Sequence, residues 1–542
     1  MSEHDAVVVG SGVNGLACAA LLARAGWVVC VLERNDWLGG AIKTAELGEP
    51  GFLHDVFSAW HPLWVAGAAH AELGDDLAAR GLEYLNTDNP TGTLYPDGEA
   101  AFLTTSTDGN AAELARFARS DGDEWRSTVT EFMPQADLAF GVLGTELWSR
   151  SGAALGVKAL RRLGPRGLAA FTGELVRSSR DWLTTTFASE RAHGLLAPWV
   201  LHTGLGPDAA TSGFMTKVIA VAIELGGLPV PRGGGARLVD ALRSLIEDHG
   251  GTLLLEQDVE HVLTSNGTAV GARTSTGDTF TARRAVICSV TPTQLYGRLL
   301  ADAPLPQRVA AASRRFRFGR SEMQIHYALS RPPAWEGDDR LGRTALLHLT
   351  PGLDAVSRAV NEAERGLLPA EATVVLGQPL TIDDSRAPDG SWIFWVQLQE
   401  LPWHVKGDAA DEIDVGGGSW TDPLRERYAD RIQRRIAQHL PGFESTIVHR
   451  VALSPADLAR ANVNLERGDP YGGALGLDQN FLWRPFPEQP GHRTPIERLW
   501  HIGASTWPGP GLGAGSGTLV AQELLRPPPH VRVARLLARR GV

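Results

Sequence analysis

Gly10-Ser11-Gly12-Val13-Asn14-Gly15 has the spacing G-x-G-x-x-G, and an acidic residue, Glu33, stands 18 residues after Gly15. The glycines alone say little; their setting makes them specific. Residues 5–9 (DAVVV) read as a buried strand, 16–25 (LACAALLARA) as a helix stopped by Gly26, and 27–32 (WVVCVL) as a second strand ending at Glu33. The chemistry this supports is the holding of a pyrophosphate. Gly10 allows the tight turn, Gly12 admits a phosphate close to the backbone, and Gly15 lets the helix pack on the strand. Val13 and Asn14 open that helix, whose unpaired N–H groups and dipole favour an anion. Glu33 would accept hydrogen bonds from a ribose 2′-hydroxyl, which fits the adenosine of FAD or NAD and argues against NADP.

The chain that positions these residues has 542 residues, 43% hydrophobic and 21% charged, which is ordinary globular usage and room for several domains. A net charge of −11 argues against a nucleic-acid partner. Cys18, Cys30 and Cys288 lie in apolar stretches and are too few for a disulfide framework or a Cys-rich zinc site. No metal-ligand spacing and no catalytic triad stands out. No run of 18 apolar residues predicts a membrane span. Residues 2–5 are polar and open no secretory signal, so a cytoplasmic location is expected.

Helical patterns, as at 111–118, 128–143 and 153–163, broken by Pro and Gly, predict a helix-rich cap over 105–225. At 231–235 (PRGGG) the pattern changes. An amphipathic helix over 236–249 carries Leu238, Leu242, Leu245 and Ile246 on one face. Strands are predicted at 252–255, 258–263, 269–274 and 279–287, then at 322–329, 372–376 and 392–398. A helix follows at 423–440, a short strand at 499–502, and a closing helix over 516–525 that Pro527 stops.

Residues 33–41 (ERNDWLGGA) resemble the E-R-x(4)-G-G segment of the two-domain flavoprotein superfamily of amine oxidases, phytoene desaturases and Rab GDP-dissociation inhibitors. The resemblance implies FAD, with Arg34, Gly39, Gly40 and Ala41 along its pyrophosphate. Residues 231–263 are similar to a phytoene desaturase segment, which implies that Val259 meets adenine through its backbone. Residues 503–525 are similar to that family's C-terminal flavin segment, which implies Gly503 and Ala504 beside ribitol or phosphate. It also implies Leu512, Gly513 and Ala514 as N–H donors at the flavin edge, where two-electron reduction places negative charge. Residues 384–388 (DSRAP) and 454–485 resemble pyridine nucleotide-disulfide oxidoreductase domain-containing protein 2 and its bacterial relatives. Three departures separate the chain from carotenoid enzymes. Ala41 stands where phytoene desaturases commonly have Arg, Ala504 where many members have an acid, and Trp507 where some desaturases have His.

The implied fold is α/β. A discontinuous Rossmann-like FAD domain spans 1–75, 230–300 and 490–542, and a mixed α+β substrate domain spans 76–229 and 301–489. Residues 54–64 (HDVFSAWHPLW) would pass beside the flavin, where Trp60 and Trp64 could wall a substrate site and His61 could move a proton; core tryptophans and a structural histidine are the alternative. Trp199 and His202 could line a tunnel in the cap, His202 being equally read as structural. Trp507 would lie near the flavin. Asp478 could serve only the fold. The tail from Val531, with Arg532, Arg535, Arg539 and Arg540, could lie on an anionic membrane surface or dock as a terminal helix.

The expected reaction removes two hydrogens from a C–C or C–N bond of an apolar small molecule and reduces FAD, with oxygen or a quinone as final acceptor. The cofactor supplies the hard chemistry, so the absence of a triad is expected. The rivals are an amine or amino-acid oxidase producing peroxide, a flavin-dependent isomerase or saturase, and a non-enzymatic lipid- or prenyl-binding protein.

Overall fold

The computed structural model describes residues 3–526, so the arginine-rich tail lies outside the described residues. Two seven-stranded sheets organise the chain. In the first, the strand Glu3–Val9 sits between Val29–Leu32 and Thr279–Ser289, parallel to both. Thr252–Leu254 extends it beyond Val29–Leu32. Val29–Leu32 and the end of Glu3–Val9 are short, wholly buried apolar runs because both faces are covered there.

Thr279–Ser289 serves two neighbours in turn. Its first residues pair antiparallel with Thr268–Thr274, and its end, from Val286, pairs parallel with Leu499–Ile502. This brings the last strand, and the glycine segment after it, beside the first turn of the chain. On one face lie the helices Val13–Arg24, Ala236–Asp248 and Gly515–Leu524, packed through Leu16, Leu242, Leu245 and Val520.

The second sheet runs in the order Ile447–Leu453, Ser321–Leu329, Trp392–Leu401, Val374–Gly377, Leu346–Leu349, Thr91–Leu94, Ala100–Leu103. Met323, Ile325, Val396 and Leu398 point to one face, against Tyr428 and Ile432 of the helix Asp422–Ala437. The alternate residues Glu322, Gln324, Gln397 and Gln399 point to the other face, and a cavity lies against it. The helices between Thr107 and Gly226 form a cap, of which Ala197–Thr203 and Ser212–Gly226 roof this cavity. Among them, Arg150–Val176 is broken at Gly164, before Pro165, and buries no residue.

One predicted element is corrected in extent, and four strands went unpredicted. The pattern at 128–143 is two helices, Arg119–Phe132 and Ala136–Leu143, because Pro134 interrupts the hydrogen-bond ladder. Four strands of the second sheet, Thr91–Leu94, Ala100–Leu103, Leu346–Leu349 and Ile447–Leu453, are not among those predicted.

Candidate active site

The turn at Gly10–Gly15 and the paired glycines at 39–40 lie side by side. Gly12 and Gly39 form a β-bridge, and the Gly39 N–H donates to the Ser11 carbonyl at 3.1 Å. Gly40 has φ +62°, and a Cβ there would sit 3.0 Å from the Gly12 Cα. No side chain caps the helix Val13–Arg24, and its first turn holds no acidic residue. Its first N–H groups have no partner within the helix, so they are available to an anion in the groove that this turn borders.

Glu33 closes one end of the groove. Its Oε2 accepts from the Ser11 N–H at 2.9 Å and the Ser11 hydroxyl at 2.6 Å, and its Oε1 accepts from the Asn35 N–H at 2.9 Å. A carboxylate offers about four acceptor sites, so one remains for a ribose hydroxyl. At the other end, Gly503, Ala504 and Leu512 complete the lining. The buried Arg484 holds this loop: its guanidinium donates to the Ala504 carbonyl at 2.6 Å and to the Tyr471 carbonyl at 2.9 Å.

The glycines test what the groove is for. At Gly15 a Cβ would lie 2.2 Å from the Gly10 carbonyl oxygen, so packing within the protein demands glycine. Gly12 has φ −58° and ψ 163°, open to any residue, and a Cβ there meets nothing nearer than 3.9 Å. The protein gives Gly12 no reason to be glycine; a ligand lying on the backbone does.

A second cavity, about 1320 Å³ of empty space with its mouth included, adjoins the groove. The two share Ala41, Leu465, Pro470, Pro510, Gly511 and Leu512 as lining. Its walls are largely apolar. Trp60 packs edge-on against Trp395, with ring centroids 5.1 Å apart and Gly377 leaving room for the indole. Trp199 stacks on His202 at 4.6 Å. His202 Nε2 meets His348 Nε2 at 3.1 Å, so one ring donates and the other accepts. Burial takes the pKa of His202 down to about 3, which keeps it neutral.

A nucleotide groove sharing a wall with an apolar cavity is the layout of an enzyme whose cofactor reacts at one end. Residues 14–393 match the family described as flavin containing amine oxidoreductase. The chain belongs to that family. Its cofactor is FAD, and it is an oxidoreductase. Pyridine nucleotide-disulfide oxidoreductase domain-containing protein 2 of Rattus norvegicus is 26% identical over 97% of this chain and 94% of its own length. A limonene dehydrogenase polypeptide of Castellaniella defragrans is 24% identical over 97% and 95%. Among solved structures, a putrescine oxidase triple mutant superposes with a TM-score of 0.61 at 17% identity, covering 96% of this chain and 99% of its own, which speaks to fold alone.

Within this flavoprotein frame the predicted residues divide. Gly10, Gly12, Val13, Asn14, Glu33, Arg34, Gly39, Gly40, Ala41, Val259, Gly503, Ala504 and Leu512 all line the first groove. Gly15 does not, being spent on packing. Gly513 and Ala514 also lie outside the lining: Gly513 backs onto Leu63, and Ala514 is buried at the N-cap of the helix Gly515–Leu524. Trp60, Trp199 and His202 line the second cavity.

Three placements correct the sequence reading. His61 lines neither cavity; its Nδ1 meets the Tyr84 hydroxyl at 3.1 Å, and burial lowers its pKa to about 4. Trp64 is wholly buried with Leu73 and Leu77 in the core of the FAD sheet, so it walls no substrate site. The Trp507 indole turns into the cap, where it donates to the Val142 and Thr145 carbonyls at 3.2 and 3.0 Å, away from the groove. Asp478 pairs with Arg317 at the surface.

One set of residues escaped the sequence reading, and one motif that it carried only as a resemblance gains a structural role. The polar wall Glu322, Gln324, Gln397 and Gln399 alternates with core residues along two strands, a pattern that by itself marks only a half-buried strand. The DSRAP motif is a clamp: Arg386 lies between Asp55 and Asp383 and donates to the Pro231 carbonyl at 2.9 Å. Asp55 and Asp383 in turn accept the N–H groups of Gly235 and Gly233, at 2.9 and 2.7 Å.

The glycines make a separable prediction. Gly12→Val is expected to weaken FAD binding at least tenfold while leaving the urea midpoint of the flavin-free protein unchanged. Gly15→Ala, with its Cβ on a backbone oxygen, should lower both. Equal FAD affinity for Gly12→Val and the parent protein would remove the groove assignment.

Proposed function

We propose that this flavoprotein dehydrogenates a C–C or C–N bond of a small molecule with a predominantly apolar body. The supporting observation is the shared wall, Gly511 and Leu512 above all, between the FAD groove and the tryptophan-lined cavity. FAD, when bound in the groove, would supply the two-electron acceptor, a hydride acceptor at its N5.

The chain's own part is positional. The walls exclude water from an apolar body, and burial of such surface contributes roughly 25 cal/mol per Å². Trp60 and Trp395, fixed edge to face, and Trp199, stacked on His202, set the shape into which the reacting carbon must fit. No strong base is required for hydride transfer, and the neutral His202–His348 pair offers none. Molecular oxygen or a quinone is proposed as the final acceptor.

The test begins with the purified protein. Chromophore released on denaturation is expected to be FAD, about one per chain. The yellow protein is then mixed anaerobically with cyclic alkenes and alkylamines, and bleaching of the oxidised flavin is followed. Bleaching by members of either set supports dehydrogenation. A yellow protein that none of them bleaches, but that isomerises an alkene once pre-reduced, would replace this reading with an isomerase.

A further inference from the structure

We infer that the helix pair Ala136–Leu143 and Arg150–Val176 docks on an anionic lipid surface, its apolar ridge entering the head-group layer and its arginines meeting the lipid anions. The inference does not depend on the second cavity being the substrate site.

The pair is folded but uncovered. Arg150–Val176 runs for 27 residues and buries none of them. One side of its first half rests on Ala136–Leu143, where Leu155 faces Gly141 and Asp137 pairs with Lys158 at 3.0 Å and Arg162 at 2.7 Å. At 100° per residue, Val157 and Leu160 fall on the far side, and they are 47% and 43% exposed. Trp148, 62% exposed, donates to the Leu482 carbonyl at 2.6 Å, which brings exposed Leu482 and Trp483 beside it. Of the fifteen large apolar side chains exposed among the described residues, six lie within 133–176 and two more are Leu482 and Trp483. Exposure so concentrated marks an interaction surface, whereas single exposed residues need no explanation.

Charge says what covers it. The chain has a net charge of −11, yet residues 147–173 hold five basic side chains and no acid. Asp137 occupies two of the five, and Arg150, Arg161 and Arg166 form no ion pair among the described residues. A second copy meeting this face by twofold symmetry would set like charges against each other. An anionic bilayer satisfies both features: aliphatic side chains reach the acyl boundary, tryptophan sits at the interface, and arginines meet the head groups. The position also suits an apolar substrate. The Trp507 indole holds the Val142 and Thr145 carbonyls, and three residues on, Pro510 lines both the groove and the second cavity.

Vesicle flotation of the FAD-loaded full chain tests this, comparing phosphatidylcholine alone with phosphatidylcholine carrying about 30% phosphatidylserine. Binding is expected to be at least tenfold tighter to the anionic vesicles and to weaken in about 0.5 M salt, which screens surface charge. Arg150→Gln, Arg161→Gln and Arg166→Gln together should weaken anionic binding at least tenfold, since each basic residue near such a surface contributes roughly fivefold. Val157→Gln with Leu160→Gln should weaken it at least threefold. All five side chains are exposed, so flavin content and the urea midpoint should not change; if one variant fails to fold, the other and the parent protein decide. Equal binding of the parent protein to both vesicles overturns the inference. Anionic binding that survives the triple arginine variant also overturns it, and its loss with Arg532→Gln, Arg535→Gln, Arg539→Gln and Arg540→Gln would move the contact to the tail. A protein that ignores vesicles but sediments as a dimer, dissolved by Val157→Gln with Leu160→Gln, overturns it in favour of a second copy.

Discussion

Arg386→Met is expected to destabilise the protein by about 3–5 kcal/mol and to release FAD. Arg386 is 1% exposed and sits between two buried carboxylates, Asp55 and Asp383. Burying an ion pair gains little against water, but removing one partner leaves the other charges uncompensated, and here two would be left. Nearby guanidinium charge and hydrogen bonds hold the Asp383 carboxyl below its usual range despite burial, which would reverse on losing Arg386. The cofactor enters through geometry. Asp55 accepts from Thr44 Oγ1 at 2.6 Å and from the Gly235 N–H, and Thr44 Oγ1 accepts from the Ala236 N–H at 3.0 Å. The clamp thereby fixes the start of the helix Ala236–Asp248, which packs on the helix leading out of the FAD turn. Urea unfolding and the flavin content of the purified variant measure both effects. Adding Asp55→Asn to Arg386→Met should recover part of the loss, because one stranded charge is then neutral. A midpoint unchanged in the single variant would show that the clamp is ornamental.

The FAD half of the fold was legible because its signals are local. Glycine spacing, a buried strand on either side of a helix, and an acid at a strand end all lie within 33 residues, and each has one physical job. The helix Ala236–Asp248 and the strands after it carried periodicities of their own. The second sheet was only half legible. Thr91–Leu94 (TGTL) contains a glycine and two threonines, and Leu346–Leu349 (LLHL) is too short to be told from a helix turn; tertiary pairing makes both into strands. The site failed in the same way. His61 and Trp64 have the right residue types in the right neighbourhood, but rotation of the short helix Pro62–Val65 buries Trp64 in the core while Trp60 and Leu63 reach the cavity. Glu322 and Gln324 were invisible for the opposite reason. Polar residues alternating along a strand predict a wet face, and only the roof of cap helices, distant in sequence, turns that face into an interior.

Buried polar chemistry also sets the response to pH, and stability is expected to peak near pH 6.5 and to collapse on the acid side. Burial lowers the pKa of His54 and His202 to about 3, of His61, His326 and His501 to about 4, and that of His348 well below its usual value. In the unfolded chain each titrates near 6.5. As pH falls below that, the unfolded state binds protons that the folded state refuses, so each histidine removes up to about 1.4 kcal/mol per pH unit. Three carboxyls act in the other direction. Burial raises Glu322 to about 8 and Glu400 to about 7, and it pushes Asp469 up against three backbone N–H groups. Above about pH 4.5 Glu322 and Glu400 stay protonated in the folded state while the unfolded chain ionises, so stability falls as pH rises toward their folded values. Between pH 4.5 and 6.5 six histidines outweigh the two glutamates, a net slope of up to about 5–6 kcal/mol per pH unit. Above 6.5 only the acids remain, and the decline is gentler and ends near pH 8. A net stability of about 5–15 kcal/mol does not survive two units of the acid slope, so unfolding and flavin release are expected by about pH 4.5–5. Urea midpoints from pH 5 to 9 measure the asymmetry. A midpoint that holds steady from pH 6.5 down to 5 would mean that the buried histidines find protons or water that the packing denies them.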